Sequence, residues 1–255
     1  MQRHFLGLSD LSPKEFSELI KRSQQIKKNP KKFSNSLRQK TMLLLFEQPS
    51  VRTRISFETG MTQIGGHAIY YDIKESTLGK KETINDYAKT VSRYADVIGA
   101  RLNSHEQLIE LSQNSGVPVV NMMSNFEHPC QGLADFLTIL ENKKKFKGKK
   151  LAYVGDANNN VTHSLLFGAA LLGMDIAIGC PDNPELMTNP TIIEQAKKIA
   201  KKNNSKINFF HSAFEAVNEA DVVYADSWMS YRVPESAAAG RLKLLHPFQV
   251  NSELI

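Results

Sequence analysis

The stretch Ser50-Val51-Arg52-Thr53-Arg54 places two hydroxyls and two guanidiniums within about one helical turn. The apolar run Met42 to Phe46 before it reads as a buried strand, and Pro49 then breaks the chain. Ser50 is a good N-cap, so a helix can start directly after it. Unpaired backbone N–H groups, hydroxyls and guanidiniums at one helix N-terminus suit a phosphate dianion. A solvated basic first turn would read the same in isolation. The anion reading gains from the preceding strand and from a second polar cluster, His128-Pro129-Cys130-Gln131, which also starts a helix.

These clusters need a scaffold. Ser12-Pro13 opens a helix carrying Phe16, Leu19 and Ile20 on its apolar positions. Helices are expected near 52–64, 83–93, 105–114, 128–141, 160–172 and 190–202, and strands near 67–71, 96–100, 117–121, 151–156, 174–178, 206–210 and 221–225. Residues 73–82 read as a mobile polar loop. Strands alternating with helices through both halves predict an α/β protein with two doubly wound parallel-sheet domains. Such sheets bind ligands at the carboxyl ends of their strands, where residues 50–54, Arg101, 156–160 and 226–232 fall. The expected site is a cleft between the domains.

The 255 residues are 41% hydrophobic and 23% charged, a globular composition for one or two domains. Cys130 and Cys180 cannot build a disulfide framework, which makes a reducing cytoplasm the expectation. Met1-Gln2-Arg3-His4-Phe5 begins no signal-peptide core, and no apolar run approaches the roughly 20 residues that span a bilayer. The net charge of +6 suits an anionic ligand. Much of the excess sits in Lys143, Lys144, Lys145, Lys147, Lys149 and Lys150, read as a solvated linker face. With no RNA-binding motif and no aromatic stripe, nucleic acid is a weak alternative. Gly79-Lys80-Lys81-Glu82-Thr83 lacks the earlier glycine of a phosphate-binding loop, because Lys74 stands there. No dinucleotide fingerprint or nucleophile elbow occurs. His128 and Cys130 have no matching pair, so neither metal nor cofactor is expected.

Phe46-Glu47-Gln48-Pro49-Ser50-Val51-Arg52-Thr53-Arg54-Ile55-Ser56-Phe57-Glu58, together with His128-Pro129-Cys130-Gln131-Gly132-Leu133-Ala134-Asp135, resembles the aspartate/ornithine carbamoyltransferases. Gly155-Asp156-Ala157-Asn158-Asn159-Asn160 and Asp226-Ser227-Trp228-Met229-Ser230 look like the ornithine branch. The resemblance covers almost the whole chain. It implies a carbamoyl-phosphate domain over 1–140, an amino-acid domain over 141–255, and a homotrimer with active sites at subunit boundaries. The implied reaction moves the carbamoyl group of carbamoyl phosphate to L-ornithine, giving L-citrulline and phosphate, in arginine synthesis.

Carried over by position, the resemblance gives the phosphate to Ser50, Arg52, Thr53 and the Val51 N–H. Arg101 would bridge phosphate and carbamoyl oxygen, and His128 and Gln131 would fix the carbamoyl group. The implied catalytic set is thus Arg101, His128, Gln131 and Thr53. Asn160, Asp226, Ser230 and Tyr231 would hold ornithine, with Asn159 close behind Asn160. Thr77 and Lys81 would reach a neighbouring subunit from a loop resembling that of the aspartate branch, less one glycine. Without the resemblance, His128 could be an ordinary helix-start histidine, Asp226 a loop cap and Asn158-Asn159-Asn160 a turn.

This chain departs from the pattern in places. Val51 stands where the family usually has Thr, and Ser230-Tyr231-Arg232 replaces the ornithine branch's Ser-Met-Gly. Thr77 sits where that branch often has Gln or His. The family's His-Cys-Leu-Pro motif and last helix do not occur in these residues, so domain 141–255 is expected to lack that segment. The acceptor amine could therefore be putrescine, aspartate or an acylated ornithine, and a non-catalytic anion-binding relative is the alternative from another class.

Overall fold

A computed structural model describes residues 2–75, 82–229 and 233–255, with the side chains of Glu75 and Glu235 left aside. The chain divides into two compact units, Met1–Leu11 with Glu18–Leu133 and Ser12–Ser17 with Ala134–Ile255.

The first unit holds β1 (Thr41–Phe46), β2 (His67–Asp72), β3 (Val97–Arg101) and β4 (Val119–Met123) in one parallel sheet of order β2-β1-β3-β4. Its crossover helices are α2 (Val51–Gln63), α3 (Ile84–Val91) and α4 (His105–Asn114). β1 is central, and Leu44, Leu45 and Phe46 are buried. Edge strand β2 instead alternates exposed and half-buried residues. The expected strand at 117–121 begins later, at Val119. Pro118 has no N–H for the ladder, and Ser115 Oγ takes the Val117 N–H instead. Of the expected polar loop at 73–82, residues 73–75 form a short 3₁₀ turn and 76–81 lie outside the described residues.

The helix α1 (Pro13–Lys28) precedes β1, and α5 (Pro129–Lys143) follows β4. The division of the chain at Leu133/Ala134 falls inside α5. The second unit has a parallel sheet of order β7-β6-β5-β8, made of β5 (Lys150–Val154), β6 (Asp175–Gly179), β7 (Ile207–Phe210) and β8 (Val222–Tyr224). Between them run α6 (Asn160–Leu172), α7 (Pro190–Asn203) and α8 (Ala213–Val217), and α9 (Ala238–Leu245) follows β8. Helix α6 is apolar nearly all round and buried from Val161 to Leu171, so it sits inside its unit. Phe136 packs edge-on to Phe16 and Phe146, with centroids 5.7 and 6.1 Å away. Gly168 makes room for it: a Cβ there would overlap the Phe136 ring.

Two short helices, α8 and α9, go beyond the sequence expectation. Ser212 caps α8 by accepting the Glu215 N–H, in the spacing of a capping box. The lysine-rich stretch is only partly a solvated face. Lys149 Nζ pairs with Asp221 at 2.6 Å and Lys150 Nζ donates to the Asn218 carbonyl, which fastens the start of β5.

Candidate active site

In the first unit, the carboxyl ends of β1 and β3 lie side by side, with Phe46 opposite Arg101. The chain leaves β1 through 47–50 into α2, and Ser50 is the N-cap in extended conformation. Ser50 Oγ accepts the Thr53 N–H at 3.4 Å and donates to Thr53 Oγ1 at 3.0 Å. Arg101 Nη1 donates to the same Thr53 Oγ1 at 3.4 Å. Ser50, Thr53 and Arg101 are thus one connected donor set, and Arg101 is buried. Val51 and Arg52 are exposed at the helix start, and Arg52 has no hydrogen-bond or ion-pair partner among the described residues. The first-turn N–H groups of α2 have no partner within their own helix.

Arg54 does not join this set, contrary to the reading that both guanidiniums converge. It pairs with Glu58 at 2.9 Å and lies 3.8 Å from the Tyr70 ring centre, so the helix side face uses it. Sequence reasoning also passed over Glu47. Its N–H donates to the Arg101 carbonyl at 3.0 Å and its carboxylate takes the Asn103 N–H at 2.6 Å, binding the two loops together.

His128 immediately precedes α5. Burial, and then the charge of Arg101, push its pKa down to about 4, so the imidazole is neutral at pH 7. Gln131 is half-buried in the first turn of α5. Between them, the Cys130 thiol is raised to about 12 by burial and donates to the Asn121 carbonyl. It is a packing group rather than a nucleophile. The His128 shift has a consequence for stability. Its folded pKa lies below the unfolded value of 6.5, so the unfolded chain binds more protons and stability falls as pH drops from 6.5 towards 4. Denaturant melts at pH 7.5 and 5 should show His128→Gln losing about 1–2 kcal/mol less than the parent over that interval.

In the second unit, Gly155 follows β5 with φ of 128°, a conformation that favours glycine. Asn159 caps α6: its Oδ1 accepts the N–H of Val161 and Thr162, both at 2.9 Å. Its Nδ2 donates to Tyr153 OH at 3.0 Å and the Asp156 carbonyl at 2.6 Å. The structure thus gives Asn159 a capping task and leaves Asn160 as the first helical residue.

Asp226 follows β8. Burial first, then Asp156, raise its pKa, while the Ser227 N–H lowers it. Asp135 is pushed up to about 6 by burial and by Asp226, against a hydrogen bond from Tyr224 OH at 3.1 Å. Asp156 is ion-paired with Arg241, whose Nε also donates to the Trp228 carbonyl at 2.6 Å. The carboxylates of Asp226 and Asp135 are left to attract a cation. A cavity of about 400 Å³ is lined by Asp226, Trp228, Met229, Phe248 and Gln249 among others. The expected site residues Thr77, Lys81, Ser230 and Tyr231 lie outside the described residues. Among the described residues, no group of three His, Cys, Asp or Glu could hold a metal, and no helix is long and apolar enough to cross a membrane.

Each parallel-sheet unit of this α/β protein thus carries one polar cluster, an anion-donor set in the first and a carboxylate set in the second. Residues 3–141 match the aspartate/ornithine carbamoyltransferase carbamoyl-P binding domain, and residues 147–255 match the Asp/Orn binding domain of the same family. The chain belongs to the aspartate/ornithine carbamoyltransferase family, and is therefore a transferase.

It is 39% identical over 254 residues to the catabolic ornithine carbamoyltransferase of Thermoplasma volcanium, covering 100% of this chain and 82% of the relative. The ornithine carbamoyltransferase structure from Pyrococcus furiosus is similar with a TM-score of 0.93 and 38% identity, over 99% of this chain and 80% of that one. That of ornithine transcarbamoylase from Giardia lamblia has a TM-score of 0.90 and 40% identity, over 100% and 81%.

Proposed function

We propose that this protein is an ornithine carbamoyltransferase, moving the carbamoyl group of carbamoyl phosphate to L-ornithine to give L-citrulline and phosphate. The observation that carries the reading is the connected Ser50–Thr53–Arg101 donor set at the start of α2, in a chain whose relatives are named for ornithine. The phosphate lies against the Val51 N–H, Ser50, Arg52 and Thr53. Arg101 spans phosphate and carbamoyl oxygen, and His128 and Gln131 hold the carbamoyl group. Asn160 and Asp226 receive ornithine.

The neutral side-chain amine of ornithine attacks the carbonyl carbon. As the C–N bond forms, negative charge collects on the carbonyl oxygen, where Arg101, Thr53 and the neutral His128 donate to it. The C–O bond to phosphate then breaks, Arg52 and the helix end stabilise the departing charge, and the amine proton leaves with phosphate. Holding both reactants in register supplies much of the remaining acceleration.

A homotrimer is supported by exposed apolar side chains on α2 and edge strand β2: Val51, Ile55, Ile69 and Tyr71. A cytoplasmic protein serving arginine synthesis completes the reading, which the free thiols Cys130 and Cys180 support for the compartment. The catabolic label of the Thermoplasma volcanium relative belongs to the same reaction. Ser230-Tyr231-Arg232 favours a second reading, in which the acceptor is putrescine, aspartate or an acylated ornithine. Carbamoyl phosphate supplied with each amine in turn, with ureido product measured by colour, tests both. Ornithine should give the highest kcat/KM. A higher value for another amine would select the second reading, and no turnover with any amine would remove the enzyme assignment.

A further inference from the structure

Glu127 is the residue before His128, and it is fully buried. Donors from the start of the chain reach its carboxylate. Leu8 N–H donates to Oε2 at 2.9 Å, and Ser9 donates to Oε1 twice, from N at 3.2 Å and from Oγ at 2.6 Å. Gly7 is shaped for this contact, because a Cβ there would overlap Oε1 of Glu127. The same N-terminal segment is fixed against β4 by Phe5 N to the Val119 carbonyl and Asn121 N to the Phe5 carbonyl, both at 2.8 Å.

The backbone of residues 124–127 is also held by side chains of β4 and of its own loop. Asn121 Nδ2 donates to the carbonyls of Leu6, at 2.8 Å, and Glu127, at 3.3 Å. Ser124 Oγ accepts the N–H groups of Phe126 and Glu127 and meets His105 Nδ1 at 2.9 Å. An interior carboxylate carries a large desolvation cost, which burial registers by pushing Glu127 up to about 7 against its three donors. Apolar packing would hold a loop more cheaply. Three directed bonds to one carboxylate instead fix the orientation of the peptide that enters His128.

We propose that Glu127 and Ser9 are a positioning pair, which ties the N-terminal segment to the loop before α5 and so sets His128 at the carbamoyl group. The inference rests on the carbamoyl-site reading of His128 given above. Neither residue touches substrate. Their effect passes through His128.

A double-mutant cycle on the full chain tests this. Ser9→Ala should lower kcat/KM for carbamoyl phosphate about tenfold while the ornithine KM moves less than about twofold, the size of effect a small misplacement at the reacting group produces. Ser9→Thr keeps the hydroxyl and should restore the rate. In the His128→Ala background, Ser9→Ala should cost less than about twofold, because the group it positions is gone. Glu127→Gln should follow Ser9→Ala in both backgrounds. The same loss from Ser9→Ala with and without His128, or a parallel loss for both substrates that follows the melting temperature, would overturn the pair as a positioning device. Unchanged carbamoyl-phosphate kinetics in His128→Ala alone would instead overturn the role of His128 itself, and the pair with it.

Discussion

Arg52→Ala is expected to weaken carbamoyl phosphate and inorganic phosphate binding by about 10²-fold or more, with the melting temperature unchanged. A charge-assisted hydrogen bond contributes roughly 1.5–3 kcal/mol, and a guanidinium can make two to one phosphate. Arg52 stands exposed in the first turn of α2, which moderates the gain through solvent screening, so the lower end of that range is the working figure. The thermal argument is separate. Arg52 has no hydrogen-bond or ion-pair partner among the described residues, so its removal breaks nothing in the folded state. Arg54, two residues on, should behave in the opposite way. Its contacts with Glu58 and Tyr70 stabilise the helix face, and Arg54→Ala should cost fold stability more than phosphate affinity. Calorimetric titration with phosphate, beside thermal melts of both variants, separates the two arginines. An intact Arg52→Ala protein with the parent's phosphate affinity would remove the phosphate assignment.

That contrast marks where the sequence is legible. Ser50 announces itself as a cap because the apolar run, the Pro49 break and the cap act within a few residues of each other. The strands β1, β3 and β5 and the helix α6 follow from apolar runs long enough to outweigh local noise. Two arginines in one motif cannot be told apart in the same way. Which one turns to Tyr70 depends on β2, a neighbour of β1 only after folding. Distance in sequence hides the rest. Glu47 reaches Asn103 across 56 positions, Arg241 reaches Asp156 across 85, and Glu127 meets Ser9 across 118. None of these partners carries a pattern that names the other. The start of β4 and the helix α8 were readable in principle, from Pro118 and from the Ser212–Glu215 spacing.

Asp226→Asn is expected to raise the ornithine KM by about 10²-fold and leave the carbamoyl phosphate KM within about threefold, since removing a charged partner from a half-buried site costs on the order of 2–3 kcal/mol. The thermal effect should run the other way. Asp226 is raised above its ordinary pKa, first by burial and then by Asp156, so the folded state binds more protons than the unfolded chain. Stability contributed by such a group falls as pH rises upward from about 3.8, the unfolded value. An asparagine carries no charge to desolvate. Asp226→Asn should therefore melt at the same temperature as the parent, or higher, at pH 7.5, and the gain should vanish in acid. A loop-capping aspartate would show the reverse: a lower melting point and equal losses for both substrates. Steady-state kinetics in each substrate and melts at two pH values give the two readings opposite signs. A carboxylate that weakens the fold and strengthens amine binding is held there for the ligand. Asp156, whose charge Arg241 already satisfies, should show no such gain on conversion to asparagine.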